Sequence, residues 1–159
     1  MIPSLRSLLA LVATVACAAS SVACSPSAKL TPPPGFAEIE AKKEPYVYRA
    51  TTARGVVVAA RVEKNEPHGN LDFWAEAVDL RLKNEGFQGE APKSVTGASG
   101  IPGKLLRYSK NESGRTVRYF VTVYTTEKRV YVVEAAGDSE RFDPLAAEVE
   151  RAELSLRPD

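Results

Sequence analysis

Two segments near the end of the chain show a strict alternation of side chains, residues 117–124 and residues 129–136. Both are rich in β-branched and aromatic residues, which fit a pleated, half-buried surface. A period of two in such segments predicts β-strands. A shorter apolar run at residues 105–108 precedes them, and short polar segments separate the three. We therefore predict an antiparallel meander of three strands.

The first half of the chain predicts further strands. Residues 46–50 and 56–62 are apolar runs, and the segment 52–55 between them ends in glycine, as expected for a hairpin. Residues 36–43 alternate only weakly, which predicts a short strand or an extended lead-in. Residues 88–103 are rich in Gly, Pro, Ser and Ala, and they contain at most one short strand near residues 94–96.

Residues 71–85 carry the strongest helical pattern. Asn70 is a suitable N-cap, and Gly86 stands where a left-handed residue ends a helix. Trp74, predicted to be a core residue, lies on one apolar stripe with several neighbours. The members of the stripe are Leu71, Trp74, Ala75, Val78 and Leu82.

A closing helix follows the meander. Asp143 and Pro144 have the residue types of an N-cap and a first helical position. The helix ends near Leu154, and its glutamates at 148, 150 and 153 predict a solvated side. Strands in runs, separated by single helices, predict an α+β fold with an antiparallel sheet flanked by helices.

Residues 1–23 have the features of a secretory signal peptide. Arg6 gives the positive start, and residues 8–16 form an apolar run too short to favour a membrane span. Ser21-Val22-Ala23-Cys24 resembles the lipobox of bacterial lipoproteins, in which the cysteine receives a diacylglycerol thioether. We therefore predict lipidation at Cys24. Two alternatives are an ordinary cleavage site that leaves Cys24 unmodified and a lipobox that ends at Cys17.

Residues 24–35 contain four prolines among small and polar residues. This composition predicts an extended tether between the lipidated cysteine and one globular domain at residues 36–159, or else a plain N-terminal arm. The protein would then be anchored in the bacterial cell envelope by lipid, with its domain in the periplasm or on the surface. Ser25 after the cysteine favours the outer over the inner membrane by analogy with enterobacterial sorting.

Composition narrows the possible partners. The formal net charge is +1 and becomes zero if Arg6 leaves with the leader, so no nucleic-acid partner is expected. Residues after Cys24 include no cysteine, and His68 is the only histidine. We therefore expect no metal or other cofactor. Residues 97–104 fit neither a nucleophile elbow nor a P-loop. The protein is predicted not to be an enzyme.

Several short motifs occur together in an order typical of one superfamily. They are Pro34-Gly35-Phe36, Gly55-Val56-Val57-Val58, Leu82-Lys83-Asn84-Glu85-Gly86-Phe87, Gly103-Lys104-Leu105-Leu106-Arg107-Tyr108 and Val130-Tyr131-Val132-Val133. This set resembles the PsbP/DcrB superfamily over residues 34–157. The resemblance implies a PsbP-like α/β sandwich in a protein that acts as an accessory or docking module. It supplies no shared catalytic residues.

One group of side chains is a candidate contact surface. The alternation is interpreted as placing Phe120, Tyr124, Val130 and Val132 on one face of the meander, beside Arg118 and Glu134. Such an amphipathic mixture suits a protein interface, and it also suits a sheet face covered by the second helix. Tyr46 and Tyr48 are likewise expected to share a strand face. The leading hypothesis is a non-catalytic envelope lipoprotein that docks on an envelope protein. The alternative is a small-molecule or lipid-binding protein that uses the loop at residues 97–103.

Overall fold

An antiparallel sheet of eight strands lies at the centre of the protein. The computed structural model describes residues 27–41 and 45–158. The strands are β1 (Ala28–Lys29), β2 (Ala37–Glu38), β3 (Tyr46–Thr51), β4 (Val57–Lys64), β5 (Gln88–Gly89), β6 (Lys93–Thr96), β7 (Pro102–Glu112), β8 (Arg115–Thr125), β9 (Arg129–Asp138) and β10 (Arg157–Pro158). The order of the sheet is β2-β3-β4-β9-β8-β7-β5, with β6 also paired to β7, and a separate ribbon of two strands joins β1 to β10.

Helices flank the two faces of this sheet. Helix α1 (Leu71–Asn84) packs on β7 and β8 from one side, which we call the α1 face. On the opposite side, the α3 face, lie α2 (Ser139–Phe142), a 3-10 turn (Asp143–Leu145) and α3 (Ala146–Leu154). The predicted α+β class, with an antiparallel sheet and flanking helices, is confirmed.

Helix α1 begins and ends where its sequence predicts. The Asn70 side chain accepts a hydrogen bond from Phe73 N at 2.8 Å, which satisfies one free N–H of the first turn. Gly86, with φ of +89°, ends the helix in the left-handed region. Leu82 is 1% exposed, and it packs against side chains of the sheet that are themselves buried. These partners include Leu106, Val121, Val123, Val130 and Val132.

The closing helical segment begins earlier than predicted. Asp138 is the residue that caps it, because its side chain accepts a hydrogen bond from Glu140 N at 3.1 Å. The prediction of Asp143 as N-cap is wrong, since Asp143 lies inside the helical segment and its carboxylate binds Arg118 instead. Pro144 occupies the first turn of the 3-10 segment, where a missing N–H is tolerated.

The proline-rich segment is bound to the domain over most of its described length. Ala28 is 7% exposed and pairs with Pro158 in the ribbon. Thr31 N donates a hydrogen bond to Ser155 Oγ at 2.7 Å, and Leu30 packs on the core of the α3 face. The folded domain therefore starts near Ala28. The sequence-based boundary, which assigned residues up to 35 to the tether, is corrected accordingly. Cys17 and Cys24 lie outside the described residues.

Candidate functional site

The α1 face is covered by its helix over only part of its width. Helix α1 lies on β7 and β8, while two cavities open beside it over β4 and β9. The first has a volume of about 250 Å³ and the second about 180 Å³. Arg61 and Glu134 stand between them. We call this surface the open groove, and its main residues are Tyr46, Arg49, Val57, Ala59, Arg61, Trp74, Val78, Tyr119, Glu134 and Ala136.

A hydrogen-bonded cluster forms the polar centre of the open groove. Glu134 on β9 accepts hydrogen bonds from Tyr46 OH at 2.7 Å and from Tyr119 OH at 2.6 Å. Arg61 Nε on β4 lies 3.8 Å from the same carboxylate, whose side chain is 11% exposed. Arg61 also pairs with Glu63. A nearly buried carboxylate is stable here because two phenols and a guanidinium replace the water that it has lost.

The two tyrosines of this cluster stay protonated. The hydrogen bond to Glu134 raises the pKa of Tyr46, and burial adds to the effect. Burial raises the pKa of Tyr119, with a further contribution from the charge of Glu134. Both phenols are therefore hydrogen-bond donors at neutral pH. Their role in this geometry is to hold the carboxylate in place rather than to act as bases.

The second cavity of the open groove lies under one side of α1. Trp74 and Val78 of the helix face Val130 and Val132 of β9 across it. Trp74 is held by Asn65, a buried residue whose Oδ1 accepts from the indole N–H at 2.8 Å. Asn65 Nδ2 in turn donates to the carbonyls of Gly69 and Thr126. This wall of the groove is thus fixed by one amide whose oxygen and nitrogen are both hydrogen-bonded.

Two large apolar side chains are exposed on the outer side of α1. Phe73 is 46% exposed and Leu80 is 60% exposed, and they are seven residues apart on the solvent side of the helix. Phe73 contacts the edge of the Trp74 ring, with ring centroids 5.2 Å apart. The exposed apolar surface therefore continues from α1 toward the open groove.

The α3 face has a cleft of a different kind, about 390 Å³ in volume. Two arginines line it, and each is bound to a carboxylate on the helical segment. Arg118 makes a two-pronged contact with Asp143 at 2.8 and 3.0 Å, and Arg107 pairs with Glu150 while its guanidinium lies 5.3 Å from the centre of the Phe120 ring. Because both cations are neutralised, the cleft offers little attraction to an anion.

The comparisons with known proteins concern the fold. No family model matches the sequence, and no curated protein matches it. The cyanobacterial PsbP (CyanoP) of Synechocystis sp. PCC 6803 has a TM-score of 0.61 at 10% identity, over 84% of this chain and 87% of CyanoP. The fold is PsbP-like.

A second neighbour shares the PsbP-like fold. LpqN, which is involved in cell envelope biogenesis of Mycobacterium tuberculosis, has a TM-score of 0.64 at 18% identity. The similarity covers 84% of this chain and 83% of LpqN. Within the described residues, no helix has the length and apolar character needed to cross a membrane.

The predicted contact surface does not exist in the PsbP-like sheet as proposed. Phe120 and Tyr124 lie in the core of the α3 face, whereas Val130 and Val132 lie in the core of the α1 face. Tyr124 stands opposite Tyr131 in the pairing of β8 with β9, so even-numbered residues of β8 share a face with odd-numbered residues of β9. The prediction of one shared face is wrong. The exposed fractions of the four, 9%, 0%, 3% and 4%, leave no surface for a partner.

Glu153 also differs from its prediction as a solvated residue. It is 0% exposed, and its Oε2 lies 3.0 Å from Thr122 Oγ1. Its Oε1 has no hydrogen-bond partner among the described residues. Burial raises the pKa of this carboxyl well above its ordinary range, so the neutral acid is the form that the core accommodates.

The loop at residues 97–103 packs on the protein. Ala98 N donates to the carbonyl of Leu154 at 2.9 Å, which ties the loop to the end of α3. A β-carbon at Gly103 would lie 2.6 Å from the Tyr124 ring, so a side chain there would force the ring to move, and one at Gly97 would lie 3.1 Å from the same ring. His68 lies exposed in the turn before α1, with φ of +59°. Neither feature adds a side chain to the open groove.

Sequence reasoning missed the Tyr46–Glu134–Tyr119 cluster for a physical reason. A change of register between Tyr46 and Tyr48 interrupts the pairing of β3 with β4. Tyr46 therefore reaches Glu134 on the α1 face, while Tyr48 packs on the core of the α3 face. The prediction that these two tyrosines share a face is wrong, because a simple period of two does not show a bulge.

Proposed function

We propose that the protein is a non-catalytic cell-envelope lipoprotein that docks on another envelope protein through its open groove. The leader at residues 1–23 and the lipobox-like end at Cys24 support the envelope location and the lipid anchor. The structural likeness to LpqN, a protein of cell envelope biogenesis, supports the same location. Outer-membrane attachment is the favoured form of the anchor, by analogy from Ser25.

The main support for a docking role is that helix α1 covers only part of the α1 face. One part of the face is packed under α1, and the part beside it is a preformed groove with a fixed polar centre. Tyrosine, tryptophan and arginine line it, and these residue types are enriched in protein interfaces. Because the phenols and the carboxylate of the polar centre satisfy each other, a partner can cover them at little cost in desolvation.

Binding of a small molecule is the second candidate. Sites for such ligands are usually enclosed cavities of roughly 300–1,000 Å³. The two groove cavities, at about 250 and 180 Å³, fall below that range. The cleft on the α3 face, at about 390 Å³, is lined by arginines that are already paired with carboxylates. The small groove volumes and the paired charges of the cleft together favour the protein partner.

The anchor is tested by Cys24→Ser expressed in a bacterial host that has the lipoprotein-processing enzymes. We expect the parent to carry a diacylglyceryl group on Cys24 by mass spectrometry of its N-terminus, and to fractionate with membranes. Cys24→Ser should leave the membrane fraction or accumulate as an uncleaved precursor. A parent whose mature N-terminus is unmodified would remove the anchor from the proposal.

The docking role is tested by Ala136→Arg in the groove and Ala147→Arg on the exposed side of α3. Both variants add the same side chain, and only the first obstructs the open groove. A photo-reactive amino acid at Arg49 should give one discrete adduct in intact cells. That adduct should be lost with Ala136→Arg and kept with Ala147→Arg. Equal adducts in both variants would show that the groove is not the docking surface.

A further inference from the structure

We propose that the domain is held close to the bilayer with its β1–β10 ribbon toward the lipid, so that α1 and the open groove face away from the membrane. The inference rests on lipidation of Cys24, as in the proposed function. The attachment of the N-terminal segment to the domain determines which surface faces the membrane.

The N-terminal segment is fixed to the domain by several independent contacts. Ala28 and Lys29 pair with Pro158 and Arg157. Ala28 is buried in the core of the α3 face together with Leu156. Farther along the chain, Thr31 N donates to Ser155 Oγ, and Pro33 is buried. Ala28 is therefore fixed to the domain, on the side of the sheet that carries α3.

The distance from this point to the lipid is limited by covalent geometry. Cys24 and Ala28 are four residues apart in the sequence. A fully extended chain spans at most about 3.6 Å per residue, so their Cα atoms are separated by no more than about 14 Å. A diacylglyceryl group on Cys24 places this residue at the membrane interface. Ala28 must then lie within about 14 Å of the interface.

This limit excludes the opposite orientation. If the outer side of α1 lay on the bilayer, the helix and the sheet would both stand between Ala28 and the lipid. A helix with its side chains is about 10 Å across, and packed layers lie about 10 Å apart, so Ala28 would be roughly 20 Å from the interface. The four-residue connection is too short for that distance. Phe73 and Leu80, exposed on the outer side of α1, therefore do not form the surface that lies on the lipid.

The charges of the ribbon fit an anionic lipid surface. Lys29 and Arg157 stand directly opposite each other in the pairing of β1 with β10, and both are exposed. An anionic lipid surface attracts exposed basic side chains that lie near it. The ribbon thus combines the shortest path to the anchor with a pair of cations.

The test uses the lipidated full-length protein in vesicles of phosphatidylethanolamine and phosphatidylglycerol that contain a headgroup-labelled quencher lipid. One fluorophore is attached through Arg151→Cys on α3 and, in a second sample, through Leu80→Cys on α1. These sites are similarly accessible, with a side-chain exposure of 68% at Arg151 and a residue exposure of 60% at Leu80. Sequence positions after Cys24 carry no other cysteine, so each label is unique.

We expect a large loss of fluorescence at Arg151→Cys and a small loss at Leu80→Cys. A Gly/Ser insertion of about 20 residues after Ser25 should make the two losses equal, because a flexible linker releases the orientation. Equal losses without the insertion, or a larger loss at Leu80→Cys, would overturn the inference for a lipidated protein. A protein that proves unlipidated by N-terminal mass would overturn both this inference and the proposed anchor.

The charge contribution is tested by Lys29→Gln combined with Arg157→Gln. On phosphatidylglycerol vesicles the double variant should lose part of the quenching at Arg151→Cys. On phosphatidylcholine vesicles it should match the parent, since that surface carries no net charge. Identical quenching of parent and variant on both surfaces would show that the ribbon cations do not contribute to the orientation, which would then depend on the tether length alone.

Discussion

The two faces of the sheet solve the problem of buried polar groups in opposite ways. On the α1 face, both carboxyl oxygens of Glu134 have partners, and the surface beside it is open. On the α3 face, Glu153 is completely buried, and one of its oxygens has no partner in the described part of the chain. A satisfied polar cluster at an open surface is suited to contact with a partner. A buried, half-satisfied acid is a structural liability that the surrounding core must offset.

The largest loss of stability is expected when the packing of α1 on its face of the sheet is disrupted. Leu82→Ala removes a side chain that is 1% exposed, so the free energy of unfolding should fall by about 2–5 kcal/mol. Leu80→Ala is the matched control, because Leu80 is 60% exposed, and its effect should stay within about 0.5 kcal/mol. Urea denaturation measures both. Equal stabilities of the two variants would mean that α1 does not pack on the sheet through Leu82.

A smaller effect should distinguish the tyrosines of the two faces. Tyr119→Phe removes a phenol that donates to the Glu134 carboxylate, which should cost about 1.5–3 kcal/mol because the acceptor is charged. Tyr48→Phe is the control. The Tyr48 hydroxyl is buried with no partner among the described residues, and burial raises its pKa to about 12. We expect no loss of stability for Tyr48→Phe. A loss as large as that of Tyr119→Phe would contradict the described cluster.

The third expected effect is a change in pH dependence rather than a large loss at one pH. Burial raises the pKa of Glu153 in the folded protein above its value in the unfolded chain. The stabilising contribution is complete below the unfolded pKa, and it is lost as the pH rises toward the folded pKa. Glu153→Gln should therefore flatten the decline in unfolding free energy as the pH rises above the ordinary pKa of a glutamic acid.

Glu148→Gln provides the control for that measurement. Glu148 is on the same helix, but it is 31% exposed and pairs with Arg151. This variant should keep the slope of the parent in denaturation curves recorded across the pH range. If Glu153→Gln also keeps that slope, the buried carboxyl does not titrate as its burial implies.

The sequence predicted most of the fold but few details of the site, and particular residues show why. Asn70, Gly86 and the apolar stripe of α1 act locally, so their pattern is sufficient. The pairing of Tyr124 with Tyr131 depends on the turn between the strands, where Thr126 N donates to the carbonyl of Arg129. A register shift of one residue would move every side chain of β9 to the opposite face of the sheet. Alternation within a strand does not determine this register.

The local sequence pattern likewise does not predict the burial of Glu153. Its neighbours Glu148 and Glu150 are half-buried at the rim of α3, and only the tertiary position of Thr122 and Tyr124 decides that Glu153 points into the core. The open groove combines the hairpin of β3 and β4, helix α1, and the hairpin of β8 and β9, and the last of these is far from the others in the sequence. No short sequence motif predicts such a groove.

The most direct test of the central claim is hydroxyl-radical footprinting of the protein in native envelope membranes and in vesicles made from the same lipids. The difference between the two isolates the effect of protein partners from that of the bilayer. We predict that Tyr46 and Trp74, which line the open groove, are oxidised more slowly in the native envelope. Leu145, on the α3 side, should be oxidised equally in both. Equal oxidation of Tyr46 and Trp74 in the two preparations would contradict the assignment of the groove as the docking surface.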